Sequence, residues 1–90
     1  MRKIPPSVIK SAKSNSIEVS VRIGREGVSE SLLAELDDQL DRRRIVKVKV
    51  NKGIASDRYQ RDILFSEIEK KSNSTMVFQR GNVAAFWSGK

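Results

Sequence analysis

The chain has 90 residues, a formal net charge of +7, and neither cysteine nor histidine. A chain of this length builds a single small core, so we expect one domain. The missing residue types exclude disulfides, most zinc sites and catalysis by a histidine-activated serine or cysteine, and they favour the cytoplasm. The sequence lacks a signal-peptide pattern and any run of about 18 apolar residues, so we predict a soluble protein without a membrane span.

Positive charge is distributed unevenly along the chain. Residues 24–44 carry four Lys and Arg against six Asp and Glu, whereas the flanking segments together carry 14 against five. This pattern predicts a basic face opposite an acidic helix. Such a positive balance favours a polyanionic partner, such as nucleic acid or an acidic membrane surface.

The first 16 residues are predicted to form an arm that precedes a single domain over residues 17–88. Pro5 and Pro6 favour an extended start to this arm. Ser7 is suited to cap a short helix over residues 7–13, which would need to pack on another element to be stable.

Residues 17–23 alternate between apolar and polar side chains, with Val21 and Ile23 among the apolar ones. A period of two predicts a strand that is buried on one face. Ser29 is a favourable N-cap for the segment that follows, where leucines recur at helical spacing through about residue 42.

A second strand is predicted over residues 45–50, where apolar residues alternate with Lys47 and Lys49. The next helix is expected to start near Asp57. Its buried stripe is predicted to contain Tyr59, Ile63, Leu64 and Ile68. Two further strands, over residues 75–79 and 83–87, would be joined by the turn Arg80-Gly81-Asn82, in which glycine supplies the positive φ.

The order of elements, a short helix followed by β-α-β-α-β-β, predicts a fold class. It is an α/β (α+β) sandwich of two layers, with a four-stranded mixed sheet and the helices packed mainly on one face. The other face would then be open. Alternation along the strands would place Arg22, Lys47 and Lys49 there as a cationic cluster.

Two glycines, Gly24 and Gly27, lie three residues apart between the first strand and the following helix. Glycine lets a ligand approach the main chain closely, so such a loop can present backbone N–H groups to a phosphate. A strand-to-helix turn also needs glycine for purely structural reasons. A carboxylate at Glu26 would repel a phosphate unless it turns outward or pairs with Arg25.

Several segments resemble a known family. They are Ile23-Gly24-Arg25-Glu26-Gly27-Val28-Ser29-Glu30, the helix Leu32–Leu40, the strand Ile45-Val46-Lys47-Val48-Lys49-Val50 and the closing hairpin Val77–Trp87. Together they are similar to the CRM domain, the YhbY-like module of chloroplast RNA splicing and ribosome maturation. The resemblance covers roughly residues 17–88.

The resemblance implies a fold like the C-terminal domain of translation initiation factor three. It also implies binding of structured ribosomal RNA in large-subunit precursors. We therefore predict RNA binding without catalysis, cofactor, metal, small-molecule substrate or membrane partner. The RNA-contacting residues are predicted to be the glycine loop and nearby cations: Gly24, Arg25, Glu26, Gly27, Arg22, Lys47, Lys49, Lys52 and Arg80.

Other functions are compatible with parts of the pattern. A KH domain also has a Gly-X-X-Gly loop, but there the loop joins two helices. An architectural DNA-binding protein and a protein-interaction module of a ribonucleoprotein remain open. A metal-dependent nuclease is disfavoured because Asp37 and Asp41 lie on the polar side of an ordinary amphipathic helix.

Most aromatic residues, including Trp87, are expected in the core, which favours backbone and shape recognition over base reading.

Overall fold

The computed structural model describes residues 4–14, 16–55 and 57–89. Its elements, in chain order, are α1 (Pro6–Lys13), β1 (Val19–Ile23), α2 (Glu30–Arg42), β2 (Ile45–Val50), α3 (Arg58–Ser72), β3 (Thr75–Arg80) and β4 (Val83–Trp87). This is the order that the sequence predicts. None of the helices in the described ranges is both long and apolar enough to cross a membrane.

The four strands form one mixed sheet in the order β1-β2-β4-β3. β1 and β2 are parallel and are connected through α2, whereas β4 is antiparallel to both of its neighbours. The predicted turn between β3 and β4 forms, and Gly81 within it has a φ of 58°. The sheet therefore combines one crossover connection with a C-terminal hairpin.

The first face of the sheet is covered by α2 and α3. The core there consists of leucines from α2, apolar residues from β1, β2 and β4, and Phe65 and Ile68 from α3. The rings of Phe65 and Phe86 have centroids 6.2 Å apart. Ser29 caps α2 as predicted, because its Oγ accepts a hydrogen bond from the Leu32 N–H at 3.1 Å. A cap of this kind stabilises a helix by about 1 kcal/mol.

The opposite face, which we call the α1 face, is not open as predicted. The short predicted helix forms as α1, although its N-cap is Pro5 and not the predicted Ser7, and it packs across β2 and β3. Val8 and Ala12 of α1 are buried against Ile45, Ala85 and Trp87. The prediction of an uncovered face was wrong because these three apolar residues point to it, and burying them gives an eight-residue helix the tertiary packing it needs.

The predicted buried stripe of α3 is wrong for two residues. Tyr59 is 74% exposed and Ile63 is 51% exposed, while Phe65 and Ile68 are fully buried. Residues 59 and 63 lie on one side of the helix, whereas residues 65, 68 and 72 lie on another. Only one side of α3 can face the sheet, and the side with Phe65 buries a wholly apolar ring in the core, whereas the exposed Tyr59 keeps its hydroxyl in water.

Candidate nucleic-acid interface

Three turns meet at one end of the sheet, which we call the loop end. They are the Gly24–Gly27 loop after β1, the turn at residues 51–54 after β2, and the hairpin turn at residues 81–82. The Asn51 N–H donates to the Ile23 carbonyl at 3.0 Å, and the Val50 N–H donates to the Asn82 carbonyl at 2.8 Å. The three turns therefore form one continuous surface.

The Gly24–Gly27 loop is a tight turn. The Gly27 N–H donates to the Gly24 carbonyl at 3.0 Å, and Gly27 has a φ of 67°, a conformation that favours glycine. The Gly27 N–H is thus used within the turn and is not presented to a ligand. The N–H groups of Arg25 and Glu26, at the tip, make no hydrogen bond within the described part of the chain.

The side chains of Arg25 and Glu26 are both exposed at the tip of the loop. No ion pair joins them among the residues that the structure describes. A shallow depression beside the loop is lined by Arg22, Ser29 and Ser31, and also by Glu35. The carboxylates of Glu26 and Glu35 therefore reduce the positive potential on this side of the loop.

A row of residues crosses the α1 face next to the loop end. In the strand register, Arg22 is opposite Lys49, Lys49 is opposite Val83, and Val83 is opposite Arg80. Arg22 and Arg80 are exposed and Lys49 is partly exposed, because α1 packs nearer the other end of the strands. Three of the predicted RNA-contacting cations thus share one accessible row.

Lys47 does not belong to this accessible row. It lies two residues before Lys49 on the same face, where it is only 8% exposed. Its Nζ donates a hydrogen bond to the Ser14 carbonyl at 2.8 Å, just beyond the end of α1. The expectation that Lys47 belongs to an open cationic cluster was wrong, because α1 and Ser14, directly after it, cover this part of the sheet.

Two cations that the sequence prediction left unplaced also reach the loop end. Arg58 and Arg61, in the first turns of α3, line a cavity together with Gln79 and Gly81. Lys52 is exposed in the neighbouring turn. The charges of Arg58 and Arg61 were visible in the sequence, but the proximity of these two residues to the hairpin depends on the order of β4 and β3 in the sheet.

Aromatic side chains contribute little to the surface. Phe65, Phe86 and Trp87 are buried, and Phe78 packs against the cluster under α1. Tyr59 is the exposed aromatic residue of the described chain. Within the same ranges, no group of three or more acidic residues is arranged to hold a metal ion. The accessible chemistry of the loop end is therefore that of backbone N–H groups and charged side chains, with cations from three strands and the carboxylates of Glu26 and Glu35 beside the glycine loop.

The fold and the loop define a class of protein: a small α+β domain with a Gly-X-X-Gly turn between its first strand and the following helix. The family model described as the CRS1 / YhbY (CRM) domain matches residues 10–87. The chain belongs to this family, and the resemblance seen in the sequence is confirmed.

The fold is also similar to that of a solved protein. The solution structure of the hypothetical protein SAV1595 from Staphylococcus aureus, for which RNA binding has been proposed, superposes with a TM-score of 0.73 at 22% sequence identity. The match covers 90% of this chain and 80% of that one. This likeness confirms the fold class. Among curated proteins, no sequence matches the chain significantly.

Proposed function

We propose that this protein binds RNA through the loop end of its sheet, and that its target is structured ribosomal RNA in precursors of the large ribosomal subunit. The observation that carries the proposal is the convergence of the Gly24–Gly27 loop with exposed cations from three strands and two turns. RNA binding is also proposed for SAV1595, which shares the fold. The preference for ribosomal RNA rests on the family to which the chain belongs.

The proposed mechanism is recognition of the RNA backbone. The N–H groups of Arg25 and Glu26 donate to one phosphate at the tip of the loop, while the guanidinium of Arg25 contacts an adjacent phosphate. Arg22, Lys49 and Arg80 bind further phosphates along the row. Glu26 projects outward, where solvent screens its charge. With one exposed aromatic residue in the described chain, recognition depends on RNA shape more than on base stacking.

Salt dependence tests this mechanism. Three to five phosphate contacts predict a slope of about −2 to −4 for log K against log salt on single-stranded RNA. The measurement is filter binding at several salt concentrations with a large-subunit ribosomal RNA fragment, single-stranded RNA and duplex DNA. Equal or tighter binding to duplex DNA would favour an architectural DNA-binding protein. An RNA affinity that does not change with salt would contradict the proposal.

The loop itself is tested by replacing Gly24 and Gly27 together with Asp. The added carboxylates repel phosphate at the tip, so RNA affinity should fall while the domain stays folded. A matched control places the same two charges at Ser11 and Ser66, which are exposed on α1 and α3. Equal affinities for the two double variants would remove the loop from the mechanism.

The identity of the RNA requires a different experiment. Crosslinking in the native cell, followed by purification and sequencing, names the bound RNA directly. Recovery of large-subunit precursor RNA is the expected result, and it would also agree with the predicted cytoplasmic location. Recovery of protein crosslinks without RNA would favour a protein-interaction module instead.

A further inference from the structure

A second basic site lies beside the hairpin, on the opposite edge of the loop end from the Gly24–Gly27 loop. It is a cavity of about 360 Å³ between the first turns of α3 and the β3–β4 turn. Its walls are formed by Arg58 and Arg61 from α3 and by Gln79 and Gly81 from the hairpin. Among the residues that the structure describes, no acidic side chain lines this cavity.

The arginines of this cavity are poorly neutralised by the protein. The Nε of Arg61 is buried and has no hydrogen-bond partner among the described residues. Arg58 is 85% exposed, and its Nε is 3.9 Å from Asp62 Oδ2, at the outer limit of an ion pair. Such an exposed pair contributes little, so the Arg58 guanidinium keeps most of its capacity to bind an anion. Arg61 has no ion pair among the described residues.

The carboxylates of Asp57 and Asp62, next to the two arginines in the chain, accept hydrogen bonds from other groups. Asp62 Oδ1 accepts from the Gln79 side-chain amide at 2.8 Å, and Asp57 Oδ1 accepts from the Gln60 N–H at 2.9 Å. These bonds hold the two carboxylates to the hairpin and to the helix cap. A planar guanidinium with free N–H groups is suited to bidentate contact with a phosphate.

We infer that the Arg58–Arg61 cavity binds a backbone phosphate of the same RNA that the Gly24–Gly27 loop contacts. The inference rests on the proposed function and extends it by a second anchoring point. The two sites lie on opposite edges of a four-stranded sheet, a separation of about 14 Å at the usual strand spacing. The turn at residues 51–54, with Lys52, lies between them. The RNA backbone therefore crosses the whole loop end and does not stop at the glycine loop.

The first test is a charge-matched pair of double variants. Arg58→Gln with Arg61→Gln removes the cavity's cations, while Arg42→Gln with Arg43→Gln removes two exposed cations from the opposite end of the sheet. Losing one phosphate contact should make the slope of log K against log salt shallower by about 0.7 for single-stranded RNA. At ~0.1 M salt, this change corresponds to about a five-fold loss of affinity. The control should retain the slope of the unmodified chain.

Two further variants separate a binding defect from a folding defect. Arg58→Gln alone changes a largely exposed side chain, so it should weaken binding without affecting the fold. Replacing both arginines with Lys loses the bidentate geometry but keeps the charge, so it should restore most of the salt slope, which depends on the number of phosphates neutralised. A slope that is unchanged in both glutamine variants would overturn the second site and leave the proposed function intact. Failure of the unmodified chain to bind RNA would overturn both.

The Arg61 side chain gives a direct readout. In ¹⁵N–¹H spectra, its Nε–Hε signal should shift when a single-stranded RNA oligonucleotide is added, because a phosphate bound by this guanidinium changes its electronic environment. The same signal should not shift with poly-glutamate at equal charge concentration. An unmoved Nε–Hε signal at saturating RNA would contradict the inference. A similar shift with poly-glutamate would favour an acidic protein as the occupant.

Discussion

The α1 face of the sheet contains two regions that differ in what covers them. In the region under α1, Ile45, Ala85 and Trp87 pack against the helix, and Lys47 is buried with its ammonium bound to a carbonyl. In the region next to the loop end, Arg22 and Arg80 remain exposed. The same alternation of strand residues thus serves packing in one region and presents cations in the other.

This difference assigns separate roles to residues that look alike in the sequence. Lys47 and Lys49 are two residues apart, on one strand and one face, yet Lys47 is buried and donates to the Ser14 carbonyl, whereas Lys49 is partly exposed. We expect substitutions under α1 to lower stability without changing the affinity of the folded protein for RNA. Substitutions of the exposed cations next to the loop end should instead lower the affinity for RNA and leave stability nearly unchanged.

The largest effect is expected for Trp87→Ala. Trp87 is buried beneath α1, and truncation of a buried Trp destabilises a protein by about 3–5 kcal/mol. The measurement is the free energy of unfolding from urea titration. Arg22→Ala, in the exposed region, is the control and should change stability by no more than about 0.5 kcal/mol. Equal losses for the two variants would show that the α1 region does not carry the stability assigned to it.

The second prediction compares the two lysines directly. Lys47→Ala removes a buried side chain and its hydrogen bond to the Ser14 carbonyl, which should cost about 1–3 kcal/mol of unfolding free energy. Lys49→Ala should change stability by less than about 0.5 kcal/mol. It should instead weaken RNA binding about five-fold at ~0.1 M salt, the effect of one lost phosphate contact.

Urea titration and filter binding on both lysine variants check this crossed pattern. RNA affinity is to be compared under conditions in which each variant is fully folded. If Lys47→Ala weakened RNA binding as much as Lys49→Ala, the buried lysine would have to become accessible when RNA binds, and the division of the face into two regions would fail.

Much of the architecture could be predicted from local patterns. Strand alternation located β1 and β2, the Ser29 cap marked the start of α2, and Gly81 marked the hairpin turn. These features depend on residues close together in the chain, so they can be read without knowledge of the tertiary structure. The position of the glycine loop between β1 and α2 was predictable for the same reason.

Features that depend on contacts between distant segments could not be predicted in this way. The docking of α1 depends on Ile45 and Trp87 being opposite each other in the register of β2 and β4. The accessibility of Lys49 and the burial of Lys47 follow from that docking. The side of α3 that faces the sheet was ambiguous because Tyr59 and Phe65 lie on different sides of one helix. The RNA target and the cytoplasmic location stay predictions.

The smallest effect is expected at the two glycines of the loop, which the sequence pattern treats as equivalent. Gly27 has a φ of 67°, where a residue with a Cβ is strained by about 1–2 kcal/mol, so Gly27→Ala should destabilise the protein by about 1 kcal/mol. At Gly24 the φ is not positive, and a Cβ would meet only Asn51 Nδ2 at 3.9 Å, an ordinary contact. Gly24→Ala should therefore leave stability nearly unchanged.

Urea titration of the two alanine variants separates the structural requirement for glycine from the functional one. If only Gly27→Ala is destabilised, Gly27 is required by the turn itself, whereas Gly24 is not required by backbone conformation. A loss of RNA affinity in Gly24→Ala would then mean that the RNA backbone approaches the Gly24 Cα closely. Unchanged affinity would mean that the contacts come from the Arg25 and Glu26 N–H groups at the tip, which a Cβ at Gly24 does not block.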